Sequence, residues 1–154
     1  MAASDTVPHA SFRIDLARLQ RLTGFQVRLA QLRIYEAFHE ALGDLDMTPA
    51  RYCLLAVLHD NPNSRPGQIA DALRVKPSNL ASLLTQFEQD GLIRRVADPA
   101  ERRAALIRLT DKGEALFSEI DPVVMRLEAQ TSARLRPDEQ RMLIGLLMRI
   151  SGSE

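Results

Sequence analysis

The sequence lacks the residues on which several classes of protein depend. A single cysteine, Cys53, excludes an internal disulfide and is typical of a reducing compartment. Tryptophan is absent and aromatic residues make up only 5% of the chain, a balance that favours helices over a β-sandwich. No run of about 18 apolar residues occurs, and the N-terminus has no signal-peptide core. We therefore expect a cytoplasmic protein that does not enter a membrane.

Catalytic and metal-binding patterns are missing as well. The histidines His9, His39 and His59 are scattered and do not have the spacing of metal ligands. The stretch "HEALG" lacks the second histidine of a zinc protease, and no glycine-rich phosphate loop or nucleophile elbow occurs. Cys53 has apolar neighbours, among which a free cysteine is usually an inert small hydrophobe. The sequence therefore predicts no enzyme activity, no metal and no cofactor.

The charge of the chain is balanced in sum but not along its length. Twenty basic side chains offset 20 acidic ones, so the whole chain has no excess that would attract a polyanion. Between Arg65 and Arg108, however, eight basic residues face five acidic ones. This modest excess is a weak indication of a nucleic-acid partner in the central segment, because many such patches are only solvated surface.

The N-terminal part predicts one long helix after a flexible tail at residues 1–11. Apolar residues recur in steps of three and four from Phe12 to Leu42, which is the helical period. Thirty helical residues would extend roughly 45 Å, which is long for so small a domain. One compact core cannot cover the apolar side of such a helix, so the pattern predicts packing against a second chain.

The central part predicts three short helices with clear beginnings and ends. Thr48 and Pro49 begin the first of them and Asn61-Pro62 ends it, while Ser64 is the expected cap of the next. Pro77 begins the third, "PSNLASLLTQFEQDG", whose expected buried side chains are Leu80, Leu83, Leu84 and Phe87. Gly91 stands where a C-terminal helix cap belongs.

A β-hairpin and two further helices are predicted next. "LIRRVA" and "AALIRL" have strand composition, and "DPAERR" between them has turn composition. Thr110 can cap a helix after the hairpin, and Pro137 can begin the last one. Two short helices followed by a hairpin outline a winged helix-turn-helix.

The helix that begins at Pro77 carries polar side chains suited to reading DNA. A recognition helix presents its first turns to base edges in the major groove, where amide side chains can bond adenine and serine can bond several bases. The alternative is an ordinary solvated face. The candidate contacts of this helix are Lys76, Pro77, Ser78, Asn79, Ser82, Thr85 and Gln86.

The predicted turn of the hairpin carries two adjacent arginines, Arg102 and Arg103. A wing tip reaches the neighbouring minor groove, and arginine suits that groove because its planar cation is weakly hydrated. We expect one of the two to pair with Asp98 and fix the turn, which leaves the other for DNA. The alternative is a charged hairpin whose arginines only keep it soluble.

Two stretches, "PGQIADALRVKPSNLASLLTQFEQDGLIRR" and "DPAERRAALIRLTDKGEALF", resemble the MarR family of winged-helix regulators. In that family an acidic residue, a short turn and paired arginines form the wing, before a Leu-Thr-x-x-Gly pattern. The matching residues here are Asp98, Arg102, Arg103, Leu109, Thr110 and Gly113. Glu101 replaces the commoner Asp, and Ala100 stands where many members carry another Arg.

The resemblance covers about residues 12–151 and implies a mainly α fold with a small β-hairpin wing. It implies a homodimer through the terminal helices that binds an inverted repeat of double-stranded DNA and represses transcription. Residues 12–45 and 111–151 would form the dimerisation region, and residues 46–110 the winged helix-turn-helix. A winged helix that binds a protein partner and no DNA is the alternative function.

The stretch "LTGFQVRLAQLRIYEAFHEAL" resembles the branch of this family that controls breakdown of aromatic acids, including hydroxycinnamates. The resemblance implies a small-molecule effector, either an aromatic acid or its acyl-CoA thioester. Arginine could pair with a carboxylate or with phosphates, and Tyr or His could bond a phenol. The alternative is an amphipathic helix with surface arginines. The candidate ligand contacts are Arg28, Arg33, Tyr35, His39 and Tyr52.

Overall fold

The computed structural model describes residues 14–99 and 101–153, apart from the side chains of residues 102–104. The predicted tail at residues 1–11 lies outside this range. The elements in chain order are α1 Ala17–Gln20, α2 Thr23–Leu42, α3 Pro49–Asp60, α4 Pro66–Leu73, α5 Pro77–Gln89, β1 Ile93–Asp98, β2 Glu101–Leu109, α6 Asp111–Thr131 and α7 Pro137–Ser151. The chain divides into two compact units, one ending at Leu32 and one beginning at Arg33.

The N-terminal helix is not continuous, so the prediction of one long helix from Phe12 is wrong in this respect. Helix α1 ends at Gln20 and α2 begins at Thr23. The side-chain amide of Gln26 donates to the carbonyl of Gln20 at 2.7 Å, which gives the end of α1 a partner other than a helical amide. The apolar steps continue on both sides of this break, and periodicity alone therefore cannot reveal it.

The core of the second unit forms where α3, α4, α5, α6 and the hairpin meet. Burial of each large apolar side chain there contributes about 1.5–3 kcal/mol. The predicted apolar side of α5 is confirmed, because Leu80, Leu84 and Phe87 are buried and Leu83 packs against them. The largest fully buried side chains are Phe87, Leu54, Leu55, Leu58, Ile69, Leu84, Ile107 and Ile120.

Most of the predicted helix caps are confirmed. The Thr48 hydroxyl accepts a bond from the Arg51 amide, and α3 begins at Pro49. Gly91 has a φ of 70°, the left-handed conformation that lets the chain leave α5. The Thr110 hydroxyl accepts from the Gly113 amide at 3.1 Å and caps α6.

The cap predicted at Ser64 is wrong. The N-cap of α4 is Arg65, whose amide donates to the side-chain oxygen of Gln68 at 2.9 Å. The carbonyl of Ser64 instead accepts from the Ile107 amide at 2.9 Å, which joins the start of α4 to strand β2. Ser64 is therefore engaged by the sheet and lies one residue too early to cap the helix.

The hairpin is longer and its turn shorter than predicted. Strands β1 and β2 pair in antiparallel register from Ile93 opposite Leu109 to Ala97 opposite Ala105, and a register shift then places Asp98 opposite Glu101. Strand β2 begins at Glu101, so the backbone of residues 102 and 103 belongs to the strand. The prediction of a six-residue turn is wrong because turn composition does not report where strand pairing ends.

The predicted winged helix-turn-helix is confirmed, since α4 and α5 are followed by a two-stranded antiparallel wing in a mainly helical chain. None of the helices in the described ranges is long and apolar enough to cross a membrane. The first turn of α6 lies against the base of the wing, where a Cβ at Gly113 would stand only 2.2 Å from the Leu92 carbonyl oxygen. Helix α7 has no buried residue.

Replacing Gly113 with alanine is expected to lower the free energy of unfolding by about 1–3 kcal/mol, because the added methyl group forces α6 away from the hairpin. Urea denaturation followed by circular dichroism measures this change. Gly67→Ala is the matched control, since a Cβ at Gly67 meets nothing within 4 Å. Equal denaturation midpoints for the two variants would contradict the close approach.

Candidate functional site

Helix α5 presents an exposed polar side opposite its buried leucines. All seven DNA-contact residues predicted at positions 76–86 are exposed. The Ser82 and Thr85 hydroxyls donate to carbonyls of their own helix at 3.1 and 3.0 Å, which leaves their acceptor lone pairs facing outward. In the described part of the chain, the Asn79 and Gln86 side chains have no protein partner. The structure therefore brings the predicted contacts of this helix together on one accessible surface.

Arg51 of α3 fixes the C-terminal end of α5, a role that sequence reasoning missed. Its guanidinium lies 4.7 Å from the centroid of the Phe87 ring, and it donates to the Asp90 carboxylate at 2.9 Å. A cation stacked on a ring and paired with a carboxylate holds both partners in place. No local sequence signal marks Arg51, because its partners lie almost 40 residues further along the chain.

The wing is tied to the start of α4 through Asp98. Asp98 is buried, and its carboxylate accepts two bonds from Arg65, at 2.8 Å from Nε and 2.5 Å from Nη2. The same guanidinium pairs with Glu101 at 3.0 Å. The predicted pairing of Arg102 or Arg103 with Asp98 concerns side chains outside the described residues. Sequence reasoning missed Arg65, whose partner is 33 residues away.

A second arginine joins the turn of the helix-turn-helix to α7. Arg74 has a φ of 52° and ends α4 in the left-handed conformation. Its guanidinium donates to the carbonyls of Ser151 and Gly152, each at 2.5 Å. These carbonyls lie at the C-terminal end of α7, where a helix carries partial negative charge that a cation stabilises.

A cavity of about 570 Å³ lies beside the polar side of α5. Its volume suits a small organic ligand. None of the described residues that line it is charged. Three of them, Asn79, Ser82 and Gln86, also belong to the predicted DNA-contact surface. The lining consists of Tyr35, Pro49, Ala50, Cys53, Leu73, Val75, Asn79, Leu80, Ser82, Leu83 and Gln86.

A second cavity of about 640 Å³ lies between α2 and α6 and has a charged lining. Arg33 and Arg134 are opposed there by one carboxylate, Glu40. The other lining residues are Ala37, Ala41, Leu127, Gln130 and Thr131. This cavity could accommodate a negatively charged group, whereas the first could accommodate an uncharged one.

The predicted ligand contacts occupy different surroundings. Tyr35 lines the uncharged cavity and Arg33 the charged one, where Arg33 also approaches Glu36 at 3.8 Å. The Tyr52 hydroxyl donates to Asp121 at 2.7 Å, and burial together with that carboxylate raises the pKa of Tyr52. Tyr52 therefore joins α3 to α6.

The last two predicted ligand contacts line neither cavity in the described structure. His39 is exposed near Gly43 in the second unit. Arg28 is exposed in the first unit. The structure therefore does not gather the predicted ligand residues of the second unit around one cavity.

Cys53 lies at the uncharged cavity, and its side chain is exposed. Most of the residues that share this cavity wall are apolar, whereas the core side of α3 carries Leu54, Leu55 and Leu58. Desolvation at the cavity wall raises the pKa of the Cys53 thiol. The thiolate is therefore disfavoured, which supports low reactivity.

Comparison with known proteins gives consistent results for sequence and structure. The sequence profile of the MarR family matches residues 45–104. A protein of Thauera aromatica, whose name assigns it to transcriptional regulation of the hcr operon, is 33% identical over 128 residues, which are 82% of this chain and 77% of that protein.

Two solved structures of the transcriptional repressor CouR are similar to this chain. CouR bound to a 23-mer DNA duplex is 30% identical, with a TM-score of 0.84 over 90% of this chain and 99% of that one. CouR bound to p-coumaroyl-CoA is 28% identical, with a TM-score of 0.81 over 90% of this chain and 98% of that one.

Alkylation of Cys53 by iodoacetamide at pH 8 is expected to be slower than that of a free thiol, because the raised pKa leaves less thiolate. The rate should keep rising at pH values where an ordinary thiol, with a pKa of about 8.5, has already levelled off. Mass spectrometry follows the reaction, and the urea-unfolded chain is the control. Equal rates for folded and unfolded protein would contradict the shift.

Proposed function

This chain is a member of the MarR family, and on that basis we propose that it is a homodimeric, ligand-responsive transcriptional repressor that binds an inverted-repeat operator. The observation that carries the proposal is the polar side of α5 next to a wing held against the same module. The DNA-bound CouR structure, similar over nearly the whole chain, supports it.

The polar side of α5 would read bases in the major groove. Asn79 and Gln86 carry amides that can bond adenine, and Ser82 can bond either purine or pyrimidine edges. The N-terminal amides of α5 and the Lys76 cation would hold a phosphate. In this proposal one of Arg102 and Arg103 pairs with Asp98 and the other enters the adjacent minor groove, where negative potential is strongest when the groove is narrow.

Exposed apolar side chains support a second copy as partner. Helix α7 carries seven of them on a helix without a buried residue, far more than a monomer normally leaves in water. They are Met142, Leu143, Ile144, Leu146, Leu147, Met148 and Ile150. The first unit exposes Leu16, Leu19, Leu22, Val27, Leu29 and Leu32 in the same way.

We therefore assign residues 12–45 and 111–151 to dimerisation and residues 46–110 to DNA binding. A twofold axis would set the two modules on half-sites about one helical turn, or 34–36 Å, apart. Two modules also supply the number of phosphate contacts that tight binding requires.

The uncharged cavity is the proposed effector site, and its lining favours one of the two candidate effector classes. A free aromatic acid would bring its carboxylate to a wall without a cation, which is unfavourable. A CoA thioester presents a neutral aryl group to the cavity and can leave its phosphates in water. Tyr35, at the wall, can bond a phenol. The similarity to CouR bound to p-coumaroyl-CoA supports the thioester.

Release of DNA would follow from residues that serve both surfaces. Asn79, Ser82 and Gln86 line the cavity and also form part of the proposed DNA contact. A ligand that engages them binds the DNA-free form better than the DNA-bound form, and it weakens DNA binding only by that difference in affinity. The same linkage requires operator DNA to weaken effector binding by an equal factor.

Arg102→Ala is expected to weaken binding to the intergenic DNA beside the protein's own gene by roughly tenfold, because one cationic contact with the DNA is lost. The slope of log K against log salt concentration should become shallower by about 0.9 for the same reason. Fluorescence anisotropy at several salt concentrations measures both quantities. Sedimentation should report dimers throughout, and Arg126→Ala, an exposed α6 residue, is the control. Wild-type protein whose binding does not depend on salt would favour the protein-interaction alternative.

p-Coumaroyl-CoA is expected to slow alkylation of Cys53, because the ligand would cover the cavity wall on which this single cysteine lies. Free p-coumarate and free CoA, at equal concentration, should protect much less. The same titration should release DNA with the same order of potency. Equal protection by p-coumarate would refute the preference for the thioester, and no protection by any of the three would refute the site.

A further inference from the structure

We infer that Arg65 is the positioning residue that sets the wing for DNA, an inference that rests on the proposed function. Arg65 itself belongs to the first helix of the helix-turn-helix, where it is the N-cap of α4. Its side chain crosses to the tip of the wing and meets a carboxylate on each strand. No other described side chain joins the start of α4 to both ends of the wing turn.

The geometry uses the full width of the guanidinium. Nε and Nη2 donate to Asp98, the last residue of β1, and Nη1 pairs at 3.0 Å with Glu101, the first residue of β2. A planar fork can hold two carboxylates in fixed directions, whereas an ammonium group acts as a point charge. Arg65 therefore bridges the two strands at the position where the hairpin turns.

Burial of Asp98 makes the loss of this bridge energetically costly. The Asp98 side chain is only 6% exposed, so its charge requires partners within the protein. Removing the guanidinium would take away two charge-assisted bonds from a carboxylate that water barely reaches. The buried charge of Asp98 would then lose part of its stabilisation, and the tie between the wing and the start of α4 would weaken.

Backbone contacts hold Arg65 itself in place. Its amide donates to Gln68 within α4, and the neighbouring Ser64 carbonyl accepts from Ile107 of β2. A two-stranded hairpin is only marginally stable alone, so its direction must come from such contacts. The residues that lead into α4 therefore tie the wing to the reading helices at both its base and its tip.

The charges around the tip point the same way. Asp98 and Glu101 would each repel a nearby phosphate, and the Arg65 cation offsets part of this repulsion. Arg102 and Arg103 follow directly after Glu101 in the strand. Their approach to DNA depends on the direction of the segment that Arg65 holds.

A double-mutant cycle tests this inference with the intergenic DNA beside the gene as probe. Arg65→Gln is expected to weaken binding roughly tenfold in the wild-type background. In a background that lacks both wing arginines (Arg102→Ala with Arg103→Ala), the same change should cost less than about twofold, because no wing contact with DNA remains to be lost. A general loss of folded structure would instead weaken both backgrounds equally. Equal losses in both backgrounds would overturn the inference.

Two further variants keep the test decisive. Arg65→Gln combined with Asp98→Asn removes the buried carboxylate charge together with the guanidinium that offsets it, so it should fold and dimerise like wild type yet keep the loss in DNA affinity. Arg65→Lys retains the charge without the fork and should show a similar loss. Wild-type affinity in either variant would overturn the bridging role. If wild-type protein binds no DNA, the proposed function fails as well; wild-type affinity in Arg65→Gln alone refutes only this inference.

Discussion

The burial of one side of α5 governs the rest of this structure. Leu80, Leu84 and Phe87 point into a core made by α3, α4, α6 and the hairpin, and the period of the helix then turns the polar residues outward. The energy comes from apolar area removed from water, whereas Arg51 fixes the direction, because its guanidinium lies over the Phe87 ring and pairs with Asp90 at the end of the helix. The proposed DNA-reading surface is thus a consequence of packing. A change that lets α5 rotate would alter which residues this surface presents without altering any of them.

Local signals in the sequence predicted local structure well. Thr48 and Thr110 mark helix starts through bonds to amides three residues further on, and Pro77 and Gly91 mark helix ends through their own backbone conformations, so the residue types suffice to place them. Contacts between distant segments could not be predicted in this way. Arg65 and Asp98 are 33 residues apart, and nothing near either of them specifies the other. The start of β2 depends on strand pairing, which composition does not report. The break before Thr23 involves a side-chain bond from Gln26, which periodicity does not report.

The two cavities differ in their linings, since the first has no charged residue in its described wall and the second has two arginines and one glutamate. The polar side chains of α5 form part of the wall of the first cavity, so a ligand in that cavity and the proposed DNA contact would use the same amides and hydroxyls. Arg74 connects the first cavity to α7. Its neighbours Leu73 and Val75 line the cavity, and its guanidinium donates to the last carbonyls of α7. Small shifts of either helix can therefore change the shape of the cavity.

The close contact at Gly113 holds the first turn of α6 against the wing, so any tilt of α6 would pivot about this point. Helix α6 ends at Thr131, about 27 Å beyond Gly113, so a tilt of about 5° at the hairpin displaces its far end by roughly 2 Å. In the proposed dimer, a shift of the far end of α6 at the dimer contact would change the angle between α6 and the wing. Because Gly113 has no side chain, α6 can approach the hairpin closely, and this contact limits how far the angle between α6 and the wing can change in the proposed dimer. A change in that angle would change the spacing between operator half-sites that the proposed dimer can bind.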